Sequence, residues 1–473
     1  MLPVLENYKI YPSVVPADTE VEMTIVPAGK AFLFFEGQEY TLLHVEVGGD
    51  EEYYHSPQNQ KRFTVTARDG ILRFPYTFEG EKEHVIAIVF DEKKSIVKLP
   101  VYSLREDLYR LRPLKGDFHT HSYRSDGKHD PAEAASHFRE QGYDFYALTD
   151  HNRYYPGGEV DETYADVKMD FIRVRGEELH TPGSVVHIVH VGGSRSITEE
   201  YFRDPETFEK EVDELRPLVP ESIPERYRER YVRAMWASKK IRSVGGLAIF
   251  PHPYWRPGKS MAYNVCDEFA KILLTSGLFD AYELIGGMEK DGNVRSIALW
   301  GELRAEEGLK ISVVGSSDVH GMEDCYSFPS FYTICFAEKN DNDSIVAAVK
   351  AGRSVAVEAD GAEYNSTKRA YGSLRLVSYA QFLLKYYFPA HQCVCQGEGV
   401  AMRAYAMGEC SKELIELQAN ATENHRKRFF GELAPVLPSA EMLEFENRWR
   451  EVHLAGPKTK GSLVFTNKEN RQI

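Results

Sequence analysis

The chain has 473 residues, more than one ordinary domain, so we expect a large barrel with one or two appended domains. Its 42% hydrophobic and 27% charged residues are typical of a globular protein and exclude long disorder and collagen-like or low-complexity architecture. The net charge of −15 argues against binding to duplex nucleic acid, which depends on Lys and Arg neutralising phosphates.

The N-terminus and the cysteines bear on the cellular compartment. The first residues lack the basic start and apolar run of a signal peptide, and no segment approaches the ~18 apolar residues of a membrane span. The six cysteines are sparse, and the pair Cys393 and Cys395 has no second pair or nearby histidine cluster to complete a zinc site. We therefore expect a cytoplasmic protein with free thiols and no membrane partner.

Residues 1–108 are predicted to form a small antiparallel β-sandwich domain. Short segments rich in Val, Ile, Phe, Tyr and Thr alternate there with Pro, Gly, Asp and Lys turns, at a spacing typical of such folds. The seven predicted strands cover residues 21–26, 31–35, 41–47, 62–66, 71–74, 84–90 and 95–99.

Residues 109–365 change to alternating strands and helices, which favours an α/β fold with a parallel sheet, open or closed into a barrel. The predicted strands cover residues 117–121, 145–151, 171–179, 186–192, 247–251, 281–285, 311–316, 331–336 and 354–357. The predicted helices cover residues 131–141, 223–243, 268–276, 293–307 and 344–351, the last followed by a C-terminal glycine, Gly352.

Residues 366–473 are predicted to form a helical C-terminal extension. Residues 374–387 are apolar and helical in pattern, 410–418 and 440–451 are amphipathic, and the last fifteen residues are polar.

Two histidines close the first predicted strand of the α/β region. His119 and His121 are separated by one residue, and residues i and i+2 of a strand point to the same face. Both imidazoles are therefore expected to face one point. Asp126 follows them directly before a glycine, where a simple turn aspartate is equally typical.

Later strand ends carry further imidazole and carboxylate groups. Strand parity favours Glu178 over Glu177 as the inward carboxylate. His187 and His190 lie on one predicted strand but face opposite ways, and parity does not decide which of them is a ligand. The remaining candidates are Asp150 and His151, His252 between two prolines, and the pair Asp318 and His320.

Nearly every predicted strand thus delivers His, Asp or Glu at its C-terminal end, where barrel enzymes place catalytic residues. Burying so many imidazoles and carboxylates together without a cation would be very costly. Divalent metal ions are the simplest solution, and a ligand set without cysteine suits Mn, Fe or Zn.

The ordered set of these motifs resembles the PHP (polymerase and histidinol phosphatase) superfamily of metal-dependent phosphoesterases over about residues 116–360. The motifs that carry the resemblance are Gly116-Asp117-Phe118-His119-Thr120-His121, Ser125-Asp126-Gly127, Thr149-Asp150-His151-Asn152, Gly176-Glu177-Glu178, His187, Pro251-His252-Pro253 and Ser317-Asp318-Val319-His320. The first motif, following a β-rich domain, looks most like the CehA/McbA branch, which includes predicted phosphoesterases and some enzymes that cleave carbamates or amides. Relatives often have an Asn in the segment matching residues 282–287, where this chain has Glu283 and two glycines.

This resemblance implies a distorted (β/α)7 barrel with a trinuclear metal centre at the C-terminal ends of the strands. It implies one ion held by His119, His121, Glu178 and Asp318, a second held by Glu178, His187 and His252, and a third held by Asp126, His151 and His320. The expected function is that of a phosphoesterase in which a metal-bridged hydroxide cleaves a small-molecule phosphate ester. Catalytic roles are expected for His119, His121, Asp318 and His320.

Other side chains beside the ligand positions have expected supporting roles. The candidate phosphate-binding cations are Arg124, Arg153, Arg256 and Lys259. Asp150 and His190 are expected to orient metal ligands by hydrogen bonds. Tyr254 and Trp255, close to His252 in sequence, are candidates for a pocket wall, and packing beneath the loop is the alternative role.

Two other functions remain open. The same scaffold can hydrolyse an amide, a carbamate or a carboxylic ester, and a pocket poor in phosphate-binding cations would favour that reaction. A non-catalytic metal- or carbohydrate-binding module is a third function, against which the complete ligand set argues.

Overall fold

The structure is a computed structural model that describes residues 7–29, 32–48, 60–91, 95–258, 260–324, 326–360 and 367–453. The described chain divides into two compact units. The first comprises the described residues up to Arg110 and those from Asn424 onward, and the second comprises residues 111–423. The helices expected as one C-terminal extension are therefore distributed between the two units.

In the N-terminal part of the first unit, the described residues form eight strands and a short helix. They are β1 (Tyr8–Tyr11), β2 (Val14–Pro16), β3 (Glu20–Pro27), β4 (Glu39–Glu46), β5 (Lys61–Thr66), β6 (Leu72–Thr77), β7 (Lys82–Asp91), β8 (Ser95–Leu104) and α1 (Glu106–Tyr109). The strands form two sheets of order β1-β3-β6 and β2-β8-β7-β4-β5, in which the β2–β8 pair is parallel and the other pairs are antiparallel. Side chains of both sheets, among them Ile10, Met23, Leu42 and Ile86, share one apolar core.

The predicted strand at residues 31–35 is not a strand in its described part. The amide of Phe32 donates to the carbonyl of Gly29, and the amide of Phe35 donates to the hydroxyl of Tyr40 at 2.9 Å. These bonds to a turn carbonyl and to a side chain replace a strand ladder. The apolar side chains still pack against the core, which is why the segment resembles a strand in sequence.

The second unit alternates strands and helices. Its strands are β9 (Arg112–Asp117), β10 (Phe145–Ala147), β11 (Ile172–Val174), β12 (Gly176–His180), β13 (His187–Val191), β14 (Leu247–Phe250), β15 (Ala281–Ile285), β16 (Ser312–Gly315), β17 (Phe331–Ala337), β18 (Ser354–Ala359) and β19 (Lys368–Tyr371). The helices from here to the C-terminus are α2 (Pro131–Glu140), α3 (Pro156–Thr163), α4 (Thr198–Arg203), α5 (Pro205–Leu215), α6 (Glu225–Ser243), α7 (Asp267–Thr275), α8 (Lys290–Glu306), α9 (Asn342–Lys350), α10 (Leu374–Tyr386), α11 (Phe388–Ala406), α12 (Lys412–Phe429) and α13 (Ala440–His453).

The strands of this unit form two mixed sheets rather than one parallel sheet. The orders are β11-β10-β9-β17-β18-β19 and β12-β13-β14-β15-β16. The parallel pairs are β9–β10, β10–β11, β14–β15 and β15–β16, and the remaining pairs are antiparallel. The unit is therefore of mixed α/β type. Strand β13 is antiparallel to its neighbours β12 and β14, so it begins at the edge of the sheet where these two strands end.

The predicted strand at residues 171–179 is divided into β11 and β12, which belong to different sheets. The carbonyl of Arg175, between the two strands, accepts the amide of Gly192 at 2.6 Å. This break lets the chain pass from one sheet to the other and fixes the start of β12, which carries Glu178.

The first strand of the unit also ends earlier than predicted, at Asp117. The buried carboxylate of Asp117 accepts the amide of His119 at 3.0 Å and the amide of Ser317 at 3.1 Å. These bonds tie the loop after β9 to the loop after β16. An isolated parallel bridge between Thr120 and Val319 holds the same two loops together.

Helix boundaries follow local signals in the sequence. Asp130 caps α2 by accepting the amide of Ala132 at 2.9 Å, and Pro131 occupies the first helical position. Gly352 follows α9 with a φ of +70°, a conformation that favours glycine. Among the described residues, no helix has the length and apolar character required to cross a bilayer.

Candidate metal centre

The nine side chains expected to bind metal converge at one edge of the second unit. They follow β9, β10, β14 and β16 or lie on β12 and β13 themselves. Their nitrogen and oxygen atoms are linked by a continuous series of contacts between 2.6 and 3.9 Å. The nine are His119, His121, Asp126, His151, Glu178, His187, His252, Asp318 and His320.

Glu178 lies at the middle of this group and is fully buried. Its Oε2 is 2.6 Å from His151 Nδ1 and 3.3 Å from His119 Nε2. Its Oε1 is 2.8 Å from His187 Nδ1 and 3.2 Å from His252 Nε2. Burial by itself would raise the pKa of Glu178, but the charge on His119 and the close approach of the other imidazoles outweigh it and hold the pKa well below its usual value. A carboxylate placed in this way can bridge two cations.

Asp318 is the second carboxylate of the group. Its Oδ1 lies 3.0 Å from His121 Nε2 and 3.3 Å from His119 Nε2. Asp318 and His252 have φ values of +50° and +22°, which non-glycine residues rarely adopt. Such strain costs about 1–3 kcal/mol per residue and concentrates at functional sites.

Asp126 is the third and most exposed carboxylate, with 55% of its side chain accessible. Its oxygens lie 3.4 Å from His151 Nε2, 3.3 Å from His320 Nε2 and 3.9 Å from His121 Nδ1. His151 therefore presents one nitrogen to Asp126 and the other to Glu178.

Unpaired donor atoms test whether these residues fit metal ions. Among the described residues, several atoms of the group are buried and have no hydrogen-bond partner, a costly state unless a cation satisfies them. Burial lowers the pKa of His121 and His187 to about 4, so both rings are neutral near pH 7, as metal binding requires. Neighbouring carboxylates outweigh burial and raise the pKa of His119, His151, His252 and His320, so a bound cation would have to displace protons from these rings. The donor set therefore fits divalent ions. The unpaired atoms of the nine residues are His119 Nε2, His151 Nδ1, Glu178 Oε2, His187 Nδ1 and His252 Nδ1, and the neighbouring His180 Nε2 is also unpaired.

Glu283 on β15 is a buried carboxylate to which the sequence assigned no role. Its Oε2 lies 3.0 Å from His119 Nδ1, and its Oε1 accepts the backbone amide of His252 at 3.3 Å. A carboxylate on the second ring nitrogen fixes the tautomer and the orientation of a metal-binding histidine. Glu283 thus positions two ligands from different strand ends, and its place in a strand-end segment was the available signal.

Glu283→Gln is expected to weaken metal binding by about 10–100-fold. A carboxylate can accept from both His119 and the His252 amide, whereas the amide group has a single acceptor oxygen. Competition with a chromophoric chelator measures the affinity, and the exposed Glu289→Gln is the matched control. Equal affinities in Glu283→Gln and the unaltered protein would contradict this role.

Asp150 acts on the ligands through a loop. Its carboxylate accepts the amide and the hydroxyl of Ser122, both at 2.7 Å, and the hydroxyl of Ser125 at 2.7 Å. The Ser125 hydroxyl lies 3.5 Å from His121 Nδ1. Asp150 therefore holds the loop between His121 and Asp126 in place.

His190 does not orient a metal ligand, in contrast to the prediction. Its Nδ1 lies 3.0 Å from Glu177 Oε1, on the face of the strands opposite to Glu178. Glu177 also accepts the Ser196 hydroxyl at 2.7 Å and the Ile197 amide at 2.6 Å. The alternation of side chains along β12 and β13 separates this buried cluster from the nine candidate ligands.

Two of the four predicted phosphate-binding cations have carboxylate partners. Arg124 Nε lies 2.8 Å from Glu159 Oε1, and Arg256 Nη2 lies 2.5 Å from Asp291 Oδ2. Neither partner is close to the arginine in sequence, so this pairing was not predictable from the motifs. A phosphate would have to compete with these carboxylates.

The other two cations have different settings. Arg153 is exposed, and its guanidinium donates to the hydroxyl of Tyr155 at 3.3 Å. Lys259 lies outside the described residues. Beside the centre, the ring of Trp255 lies 5.7 Å from that of His187 and 5.9 Å from that of His252.

His180 is a further imidazole at the centre that the motifs did not identify. It is the last residue of β12, and its Nε2 lies 3.8 Å from Glu178 Oε2. Glu178 and His180 are separated by one residue on a strand, so strand parity was the signal that could have found it.

No family model matches the chain, and no curated protein matches it. Among solved structures, a two-domain protein from Bacteroides vulgatus, containing a predicted PHP-like metal-dependent phosphoesterase, is 20% identical with a TM-score of 0.36. That alignment covers 53% of this chain and 66% of the other, so this chain spans just under two thirds of that protein's length.

Two further solved structures are similar over a shorter part of this chain. A candidate metal-dependent phosphoesterase from Bifidobacterium adolescentis is 17% identical with a TM-score of 0.31, over 44% of this chain and 87% of that chain. An amidohydrolase from Chromobacterium violaceum, with bound sulfate and no metal, is 18% identical with a TM-score of 0.29. The alignment covers 44% of this chain and 87% of that chain. Similarity at these TM-scores assigns no activity, and the converging nine side chains remain the feature that points to one.

Proposed function

We propose that the protein is a metal-dependent hydrolase of PHP type that cleaves a small-molecule phosphate ester. The observation that carries the proposal is the convergence of nine imidazole and carboxylate groups around the buried Glu178, with donor atoms that the described protein leaves unpaired. When bound, divalent ions such as Mn, Fe or Zn would lower the pKa of water toward about 7 and polarise a phosphoryl oxygen.

Overlapping donor groups support a centre of two or three ions. Within each group, all donor atoms lie within 4.8 Å of one another. The group around Asp126 agrees with the third ion implied by the family resemblance, whereas His252 joins His119 and Asp318 as well as contacting Glu178. The groups are His121 with Asp126, His151 and His320; His119 with His121 and Glu178; and His119 with His252 and Asp318.

Other roles at the proposed site, namely holding the ligands, admitting substrate and bounding the pocket, are assigned to different residues. Glu178 and Glu283 fix the buried imidazoles, and their burial keeps bulk water from these ligands. His320 and Asp126 have 37% and 55% of their side chains exposed, so substrate would enter on their side. Trp255 would bound the pocket beside His187.

We also propose that the two sheets of the second unit form the distorted (β/α)7 barrel of this family. Strand-end bridges between Thr120 and Val319, and between His151 and Glu178, support this arrangement because each joins segments of different sheets.

His119→Ala and Asp318→Ala are expected to lower kcat/KM for phosphate-ester hydrolysis by about 10³-fold or more. Metal ions supply several kcal/mol of transition-state stabilisation, and each ~1.4 kcal/mol corresponds to a factor of ten. The test measures metal content and hydrolysis of generic phosphomonoesters and phosphodiesters, with the exposed Glu289→Gln as a control outside the centre. Hydrolysis retained in both variants would refute the proposal.

A second candidate function is hydrolysis of an amide, carbamate or carboxylic ester on the same scaffold. The pairing of Arg124 and Arg256 with carboxylates favours it, because it reduces the cations available to a phosphate. The CehA/McbA branch, which the sequence motifs of this chain resemble, includes enzymes of this kind. Amide, carbamate and carboxylic ester substrates assayed beside phosphate esters on one metal-loaded preparation discriminate the two functions.

A further inference from the structure

We propose that His180 is an additional metal ligand, and that His180 Nε2, His151 Nδ1 and Glu178 Oε2 form a binding position for a divalent ion. This inference rests on the metal centre proposed above and extends it. The three atoms lie within 4.8 Å of one another. No residue of the family motifs quoted above corresponds to His180.

The position of His180 is fixed by the sheet rather than by a flexible loop. In the antiparallel register of β12 and β13, His180 is directly opposite His187, and Glu178 is opposite Val189. The amide of His180 donates to Asn152 Oδ1 at 2.9 Å, which joins the end of β12 to the loop that carries His151. His180 therefore lies on the same face as Glu178 and His187.

The donor atoms are close to the spacing that an ion requires. His151 Nδ1 and His180 Nε2 lie 2.6 and 3.8 Å from Glu178 Oε2. Ligands about 2.0–2.2 Å from a zinc ion lie roughly 3–4 Å from one another, so small side-chain shifts complete the geometry. Among the described residues, none of the three atoms has a hydrogen-bond partner, although each is buried.

His151 explains why another nitrogen is needed. Its Nε2 faces Asp126 at 3.4 Å and its Nδ1 faces Glu178 at 2.6 Å. A neutral imidazole has one nitrogen lone pair for a metal. His151 can therefore bind either the ion beside Asp126 or the ion beside Glu178, whereas His180 Nε2 gives the position beside Glu178 a nitrogen that Asp126 does not share.

A purely structural role for His180 is the alternative. The rings of His180 and His187 are stacked, with centroids 3.9 Å apart and planes 19° from parallel. His180→Phe separates the two roles, because it keeps a ring against His187 and removes the nitrogen. His180→Asn, which is shorter, removes the imidazole without adding volume.

The experiment measures metal binding by the full-length protein. Each variant is equilibrated with Zn²⁺, its bound metal is counted by elemental analysis, and its affinities are determined by chelator competition. The visible spectrum of the Co²⁺-loaded protein reports the ligands directly. We expect the weakest-bound ion to bind at least about tenfold less tightly in His180→Phe and His180→Asn, because losing a ligand should cost no less than losing a partner that only orients one.

His137→Ala is the matched control. His137 belongs to a separate group with His129 and Glu133, so an ion bound there would be lost in this variant and kept in the His180 variants. Affinities and a Co²⁺ spectrum unchanged in either folded His180 variant would overturn the inference alone. Absence of stoichiometric metal from the unaltered protein would instead overturn the proposed function.

Discussion

Glu178→Gln is expected to abolish stoichiometric metal binding and to lower kcat/KM by about 10³-fold or more. Both carboxylate oxygens of Glu178 face imidazoles, with His151 at 2.6 Å and His187 at 2.8 Å. Gln has a neutral side chain with one acceptor oxygen, so the variant loses a negative charge and a donor atom together. Metal-dependent water activation, which supplies several kcal/mol, would be lost with the ions.

The adjacent residue provides a matched control for this variant. Glu177 is equally buried but lies on the opposite face of β12, where it contacts His190, Ser196 and Ile197. Glu177→Gln should therefore keep its metal content even if it unfolds at a lower temperature. Elemental analysis and thermal unfolding of both variants check this, and metal retained by Glu178→Gln would contradict the central role of that carboxylate.

Lowering the pH from 6.5 to 4.5 is expected to destabilise the strands of the first unit by about 2–5 kcal/mol in total. His44 Nε2 lies 3.0 Å from His84 Nδ1, and His84 Nε2 lies 2.8 Å from Ser103 Oγ, all within the apolar core. Burial lowers the pKa of His44 to about 4 and that of His84 to about 3. Below pH 6.5 the unfolded chain binds protons on these rings and the folded chain does not, so stability present above pH 6.5 is lost as the pH falls.

Hydrogen exchange measures this effect locally, because the metal ligands of the second unit also titrate. Peptides covering β4 and β7 report the free energy of opening of the strands that carry His44 and His84. His84→Leu should flatten the pH dependence, whereas His129→Leu in the second unit should not. An unchanged pH dependence of β4 and β7 in His84→Leu would count against the buried pair as its source.

Local patterns in the sequence predicted many of the strands of the fold. Alternating apolar residues and turn signals found most of the strands, and the prediction at residues 281–285 coincides with β15. The predicted ends of strands were wrong where hydrogen bonds between distant segments of the chain end a strand. The carboxylate of Asp117 ends β9 by binding the amide of Ser317, which is distant in sequence and close only in the folded chain.

The same division applies to the candidate site. Strand parity turned Glu178 toward the ligands and Glu177 away from them, because successive side chains of a strand face opposite sides. The partners of Arg124 and Arg256 could not be predicted, since Glu159 and Asp291 reach them only through the fold.

By itself, the sequence determined the chemistry of this protein: nitrogen and oxygen donors at successive strand ends, without sulfur, in a pattern suited to divalent ions. The tertiary structure decided how those donors share their contacts. It placed six imidazoles within 3.8 Å of the Glu178 carboxylate, that of His180 among them, and gave His119 a buried carboxylate partner in Glu283. Residue types are local properties of the chain, whereas distances between strand ends arise only when the sheets and their connecting loops pack.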